Sequence, residues 1–120
     1  MIKLKRVYEP ASADDGFRIL IDRVWPEGLK NENTDIDLWM KEIAHSFLLK
    51  DWFDQDQSKW WLFESRYTEE LASNPAVMAI LEEYQKHQTI TLLYAASDQK
   101  HNHAIVLQNF LIREIDQLKK

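Results

Sequence analysis

Apolar and polar positions alternate from the start of the chain. In IKLKRVY (residues 2–8), Ile2, Leu4, Arg6 and Tyr8 fall on one side of an extended backbone, which predicts a strand. Pro10, Ser12 and the Asp14-Asp15-Gly16 run then mark a turn or short irregular loop. FRILIDRVW (17–25) is rich in β-branched residues and predicts a buried strand, stopped by Pro26 and Gly28. After a polar loop through Asn33 and Thr34, IDLWMKEIA (36–44) fits either a strand or a helix, and a short edge strand is the reading taken. From residue 46 the period lengthens. SFLLKDWF reads as a short helix, and Trp60, Phe63, Tyr67 and Leu71 form the apolar stripe of a helix over 57–73. Ser73-Asn74-Pro75 starts another, with proline in its first turn and Val77, Ile80, Leu81 and Tyr84 facing inward. TITLLYAA (89–96) is the clearest strand, and Ala104, Leu107, Leu111, Ile115 and Leu118 mark a last helix over 100–119. Strands at both ends with helices between and after predict one α/β domain. Its sheet should be small, mostly parallel or mixed, with about four strands packed by helices.

Composition narrows the class. A chain of 120 residues supports one core rather than two. With 45% hydrophobic and 29% charged residues it is globular rather than disordered, and two glycines and three prolines exclude a loop-rich or fibrous architecture. No run approaches the ~18 apolar residues of a membrane span, and MIKLKRVYEP lacks the apolar block and small-residue cleavage site of a secretory signal. The absence of cysteine excludes disulfides, thiolate metal sites and cysteine nucleophiles. A cytoplasmic location is therefore expected, with no membrane partner. The net charge of −5 disfavours nucleic acid without excluding it, because neutralising a phosphate backbone needs a concentrated basic face. Lys3, Lys5, Arg6, Arg18 and Arg23 make the N-terminal quarter locally basic, which suits a small anionic ligand better than a long polyanion.

Ligands in open α/β sheets sit beyond the carboxyl ends of parallel strands, near helix N-termini. Arg6 and Tyr8 end the first predicted strand. Ala95, Ala96, Ser97 and Asp98 end the last, and His101, Asn102 and His103 open the helix after it, with Asp98 or Ser97 as its expected N-cap. That helix start offers free amide donors and a partial positive charge. In the second strand Arg18, Leu20 and Asp22 share one face and Ile19, Ile21 and Arg23 the other. If the first two strands are antiparallel, Arg18 comes near Arg6; if they are parallel with a compact link, Asp22 and Arg23 do. Two uses of these charges compete: a structural Asp–Arg pair clamping the loop at Pro26, or Arg18 or Arg23 forked onto a phosphate or carboxylate.

Asp98 and His101 are the candidate catalytic pair, one orienting the imidazole of the other, since imidazole titrates near neutrality. The competing use is capping and packing. The His101 and His103 imidazoles would diverge by about 200° on a helix, so no metal is expected there. No G-x-S-x-G elbow and no glycine-rich phosphate loop occurs, so neither a serine nucleophile nor a nucleotide cofactor is indicated. Trp25 reads as core or lid packing, and Trp39, Trp52, Trp60 and Trp61 follow core periodicity. So many aromatic residues could also feed a homodimer interface.

Taken together, RVYEPASADDGFRILIDRVWPEG, LWMKEIAHS, RYTEEL and LLYAASDQKHNHA closely resemble the YeaO-like branch of the family catalogued as domain of unknown function 488. The likeness runs from Lys3 to Leu111. It implies a small cytoplasmic α/β domain of bacteria and archaea with no settled activity. By that resemblance Arg6, Tyr8, Asp15, Arg18, Asp22, Arg23, Trp25, Pro26, Gly28, Trp39, Lys41, Tyr94, Asp98, His101 and Asn102 fall on motif positions. More distant branches follow the second strand with an Arg- and Pro-rich turn similar to DRVWPEG, which favours the parallel arrangement. Ala44-His45-Ser46 departs from the usual Ala-Pro-Ser and leaves His45 without a role. A winged-helix pattern and a basic recognition helix are both missing.

Two classes of function follow from these residues. In the first, Arg6, Arg18 and Arg23 hold a small phosphate- or carboxylate-bearing ligand that Tyr8, Asp22 and Asn102 surround, with Asp98 and His101 available to move a proton. In the second, the same residues knit the fold of a non-enzymatic interaction or regulatory module, and the tryptophan-rich helices dock a partner or a second copy.

Overall fold

The computed structural model of the chain describes residues 1–30, 35–55 and 57–119. The expected loop through Asn33 and Thr34 and the side chain of Trp52 lie outside the described part. IKLKR becomes β1 (Ile2–Arg6), FRIL becomes β2 (Phe17–Leu20), and β3 is the two-residue strand Leu38–Trp39. Helices α1 (Phe47–Gln55), α2 (Trp60–Ala72) and α3 (Ala76–His87) precede β4 (Ile90–Tyr94), and α4 (His103–Leu118) ends the chain. All pairings among the described strands are parallel, in the order β1-β4-β2-β3.

The chain is thus α/β, with helices following and flanking one parallel sheet; of the segment 36–44 read as a short edge strand only Leu38–Trp39 pairs at the edge, and Lys41–Ile43 forms a 3₁₀ turn. The first two strands are parallel but are not neighbours. Ile90 lies opposite both Ile2 and Phe17, and Leu92 opposite both Leu4 and Ile19, so β4 is inserted between them. Residues 7–16 carry the chain from β1 across β4 to β2, shorter than the crossover of about a dozen residues that parallel strands usually need. This link is compact because it tightens into a single 3₁₀ turn (Ala13–Asp15) and ends on Gly16 at φ 66°. A Cβ at Gly16 would lie 2.2 Å from the carbonyl oxygen of Thr89, so only glycine lets the backbones approach this closely.

Every residue of β4 is buried, as expected for a parallel strand covered on both faces. Ile2, Ile19, Ile21, Ile90, Leu92 and Tyr94 meet the helices, packing on Phe63, Tyr67 and Leu71 of α2, Ile80 of α3, and Leu107 and Leu111 of α4. Burying a side chain such as Leu92 contributes roughly 1.5–3 kcal/mol. The opposite face has a smaller cluster, Val7, Leu20 and Leu93 under Trp25, Leu29 and Ile36. Beside it the Asp15 carboxylate holds Lys5 and Arg18, while its backbone carbonyl accepts from the Thr91 hydroxyl.

Two helix starts show local chemistry at work. Asn74 Oδ1 accepts from the Ala76 N–H (2.9 Å) at the head of α3. Asn102, in extended conformation, caps α4 by accepting from the Ile105 N–H at 3.1 Å. The cap is therefore Asn102, not Asp98 or Ser97. Asp98 Oδ1 instead accepts from the N–H groups of Lys100 (2.9 Å) and His101 (3.0 Å), closing a separate turn that delays the helix to His103.

Candidate functional site

A cleft of about 750 Å³ opens at the carboxyl edge of the sheet, between the segments that leave β2 and β4. The ladder runs one residue past β2, where the Ile21 N–H donates to Leu93 O (3.1 Å), and beyond it the Asp22 carboxylate takes over, its Oδ2 accepting from the Ala95 N–H (3.1 Å). These bonds fix Asp22 and Arg23 on one wall and Ser97, Asp98, His101, Asn102 and His103 on the next. Phe47 and Phe53 of α1, and Trp60 and Phe63 of α2, supply an aromatic wall.

The residues expected at the site divide three ways. Asp22, Arg23, Asp98, His101 and Asn102 line the cleft. Arg6 and Tyr8 stand behind it. The Arg6 guanidinium donates to Ala96 O (3.0 Å) and Ala95 O (3.1 Å), so it clamps the loop after β4, and the Tyr8 hydroxyl donates to Glu27 O (2.8 Å). Arg18 is on the other face of the sheet, paired with Asp15 and donating to Asp35 O (2.6 Å). Of the two competing uses of these charges, an Asp22–Arg23 pair is not the one formed. Asp22 Oδ1 lies 2.8 Å from His103 Nε2. Those two atoms are buried and make no directed hydrogen bond, so the pair is a close contact only.

Arg23 Nη2 donates to Ala44 O (3.2 Å) and His45 O (3.1 Å), and its guanidinium lies 4.7 Å from the centre of the Phe47 ring. Among the described residues no carboxylate pairs with it. The group is half-buried, held in place by backbone carbonyls and an aromatic face, and its remaining N–H donors are available.

The sequence did not assign His45, His103 or the aromatic wall to the site. His45 stacks edge-on against Phe63 (5.2 Å), Tyr67 (5.6 Å) and His103 (5.4 Å). Burial, then the neighbouring His103, lowers its pKa from 6.5 to about 4, so it is neutral at physiological pH. The Asp98 carboxyl titrates below its ordinary value because the Lys100 and His101 amides donate to it. His101 Nδ1 is 3.3 Å from Asp98 Oδ2, and both side chains are about half exposed, 52% and 54%, so water screens this pair. Among the described residues no group of three or more His, Asp or Glu side chains could hold a metal ion. None of the helices described is long and apolar enough to cross a membrane.

A family model described as "Inactive DUF488-N3 subclade" matches residues 1–120. The chain belongs to the DUF488 family. Within it, the chain is 41% identical to the uncharacterized protein YeaO of Escherichia coli over 110 residues, covering 92% of this chain and 96% of YeaO. An uncharacterized protein of Mycobacterium tuberculosis is 34% identical over 110 residues, 92% of each chain. No solved structure matches. The YeaO-like character read from the strand-end motifs is thus shown over nearly the whole DUF488 chain.

Proposed function

We propose that this DUF488 protein binds a small phosphate- or carboxylate-bearing ligand in the cleft between β2 and β4, and does so without turning it over. The observation that carries the reading is Arg23, a half-buried guanidinium on the cleft wall with donors to spare and no carboxylate partner among the described residues. A cation in such a place gains charge-assisted hydrogen bonds from an anion. The α4 amino end lies on the same rim. A volume of about 750 Å³ is in the range of small-molecule sites.

The non-catalytic half rests on the description of the matching subclade as inactive, and on what the candidate acid–base groups do. Asp98 accepts from two backbone amides, its contact with His101 is open to water, His103 faces Asp22, and His45 is neutral among aromatic rings.

Calorimetry and thermal shift with inorganic phosphate, phosphorylated metabolites and small carboxylates test this. Binding by the wild type should fall at least about tenfold in Arg23→Ala, the loss of one charge-assisted contact, and should survive in Arg113→Ala on the exposed side of α4. If no anion stabilises the wild type, the reading fails. Steady turnover of a bound ester or phosphate overturns its non-catalytic half.

A further inference from the structure

The cleft has an unusual second wall. Trp60 and Phe63 are near-parallel, 20° apart with ring centres at 5.5 Å, and Phe53 lies 4.7 Å from Phe63 and 5.8 Å from Trp60. The row continues through His45 (5.2 Å from Phe63) to His103, while His101 meets the edge of Trp60 at 5.2 Å. Phe63 is buried, but Phe53 and Trp60 are only partly covered. Arg23 faces this cleft over Phe47, so a cation and a bank of ring faces line the same hollow. An inorganic anion would use the guanidinium and leave the aromatic wall wet. A puckered aliphatic body would meet the rings with poor contact. A flat ring attached to the anion would satisfy both walls, since aromatic groups gain from stacked and edge-on packing beyond the area they bury.

Resting on the anion-binding reading above, we infer that the ligand is an aromatic anion: a planar ring system bearing a phosphate or carboxylate, the ring lodged against Trp60 and Phe53 and the anion on Arg23. The ring wall sets selectivity and Arg23 sets the requirement for charge.

A phosphate series separates the two contributions. Calorimetry with inorganic phosphate, cyclohexyl phosphate, phenyl phosphate and 1-naphthyl phosphate should give affinity rising in that order. The 1-naphthyl ester should bind at least about tenfold more tightly than inorganic phosphate, as one good ring contact provides. In Trp60→Leu the ratio of 1-naphthyl to inorganic phosphate affinity should collapse toward one, with the far-ultraviolet spectrum checking that α2 persists. Arg23→Ala should weaken binding of the whole series. Equal binding of inorganic, cyclohexyl and aromatic phosphates overturns the aromatic inference while leaving an anion site. No binding by any of them, nor by benzoate and 1-naphthoate, overturns both. The wild-type series decides the matter even if the Trp60 variant fails to fold.

Discussion

Asp15 sits in the link between β1 and β2 yet is buried, with Lys5 donating to both carboxylate oxygens (3.0 and 3.1 Å), and Arg18 and the Ser12 N–H on Oδ2. Burial pushes its pKa up, but the Ser12 amide and the two cations outweigh it and hold the group below the ordinary aspartate value. A depressed folded pKa contributes stability that is present above the unfolded pKa of about 4 and is lost as pH falls through the folded one. Asp15→Asn should therefore cost about 3–5 kcal/mol at neutral pH, since it leaves the Arg18 charge buried without its carboxylate. Urea melts would measure the loss, and the variant's stability should fall less steeply below pH 4 than the wild type's. His45 titrates in a different window. Its folded pKa of about 4 lies below the ordinary 6.5, so between those values the unfolded chain binds more protons and stability falls as pH is lowered. His45→Phe should flatten that slope, removing a dependence of up to about 3 kcal/mol across the window; melts at pH 7.5, 6, 5 and 4.5 would show it. Neither role was legible in the letters. The sequence shows charges at strand ends but not that Arg18 is claimed by an aspartate three residues earlier, nor that His45 meets a residue almost sixty positions away. Asp98 and His101 were legible as neighbours, while Asp22 and Arg23 joined them only in the parallel alternative, the one in which all four follow strands that end on the same edge.

At the scale of elements, the apolar pattern located β1, β4 and helices α2 to α4, because each helix buries one face against the sheet and β4 is apolar enough to be buried on both of its own. It placed the start of α4 too early. His101 and Asn102 carry no apolar stripe, and the turn held by Asp98 mimics a first helical turn. Asn102→Ala should lose the cap of α4 and the bond from Asn102 Nδ2 to Asp98 O, destabilising by about 1–2 kcal/mol. Asn102→Asp should recover the capping share only, because aspartate accepts from the Ile105 N–H but has no donor for the Asp98 carbonyl. At the other end of the link between β1 and β2, Gly16→Ala forces a Cβ into the Thr89 carbonyl at positive φ. A loss above about 2 kcal/mol is expected in chemical denaturation, whereas alanine for glycine at a compatible site stabilises. The edge strand β3 was ambiguous for a physical reason: with only Leu38 and Trp39 paired, its position is set by β2 rather than by its own pattern.

Across the whole molecule the helices crowd one face of the sheet, and the other is sealed by loops and by the group around Asp15. Hydrogen exchange should follow that asymmetry. Amides of β4, paired on both sides and buried throughout, should exchange last, while α1, whose Phe47 and Leu48 are 62% and 84% exposed, should exchange early. Exchange of β4 as fast as α1 would contradict the core described here. Strand order was the part of the architecture that no local pattern could reveal, since β4 enters from about seventy residues downstream. That insertion also bears on how the chain is made. While residues 1–89 are leaving the ribosome, the edges of β1 and β2 that face each other in the finished sheet stay open, because the strand that joins them has not been synthesised. The four-stranded sheet can close only when residues 90–94 emerge; until then β1 has no strand to pair with and β2 has only the two residues of β3.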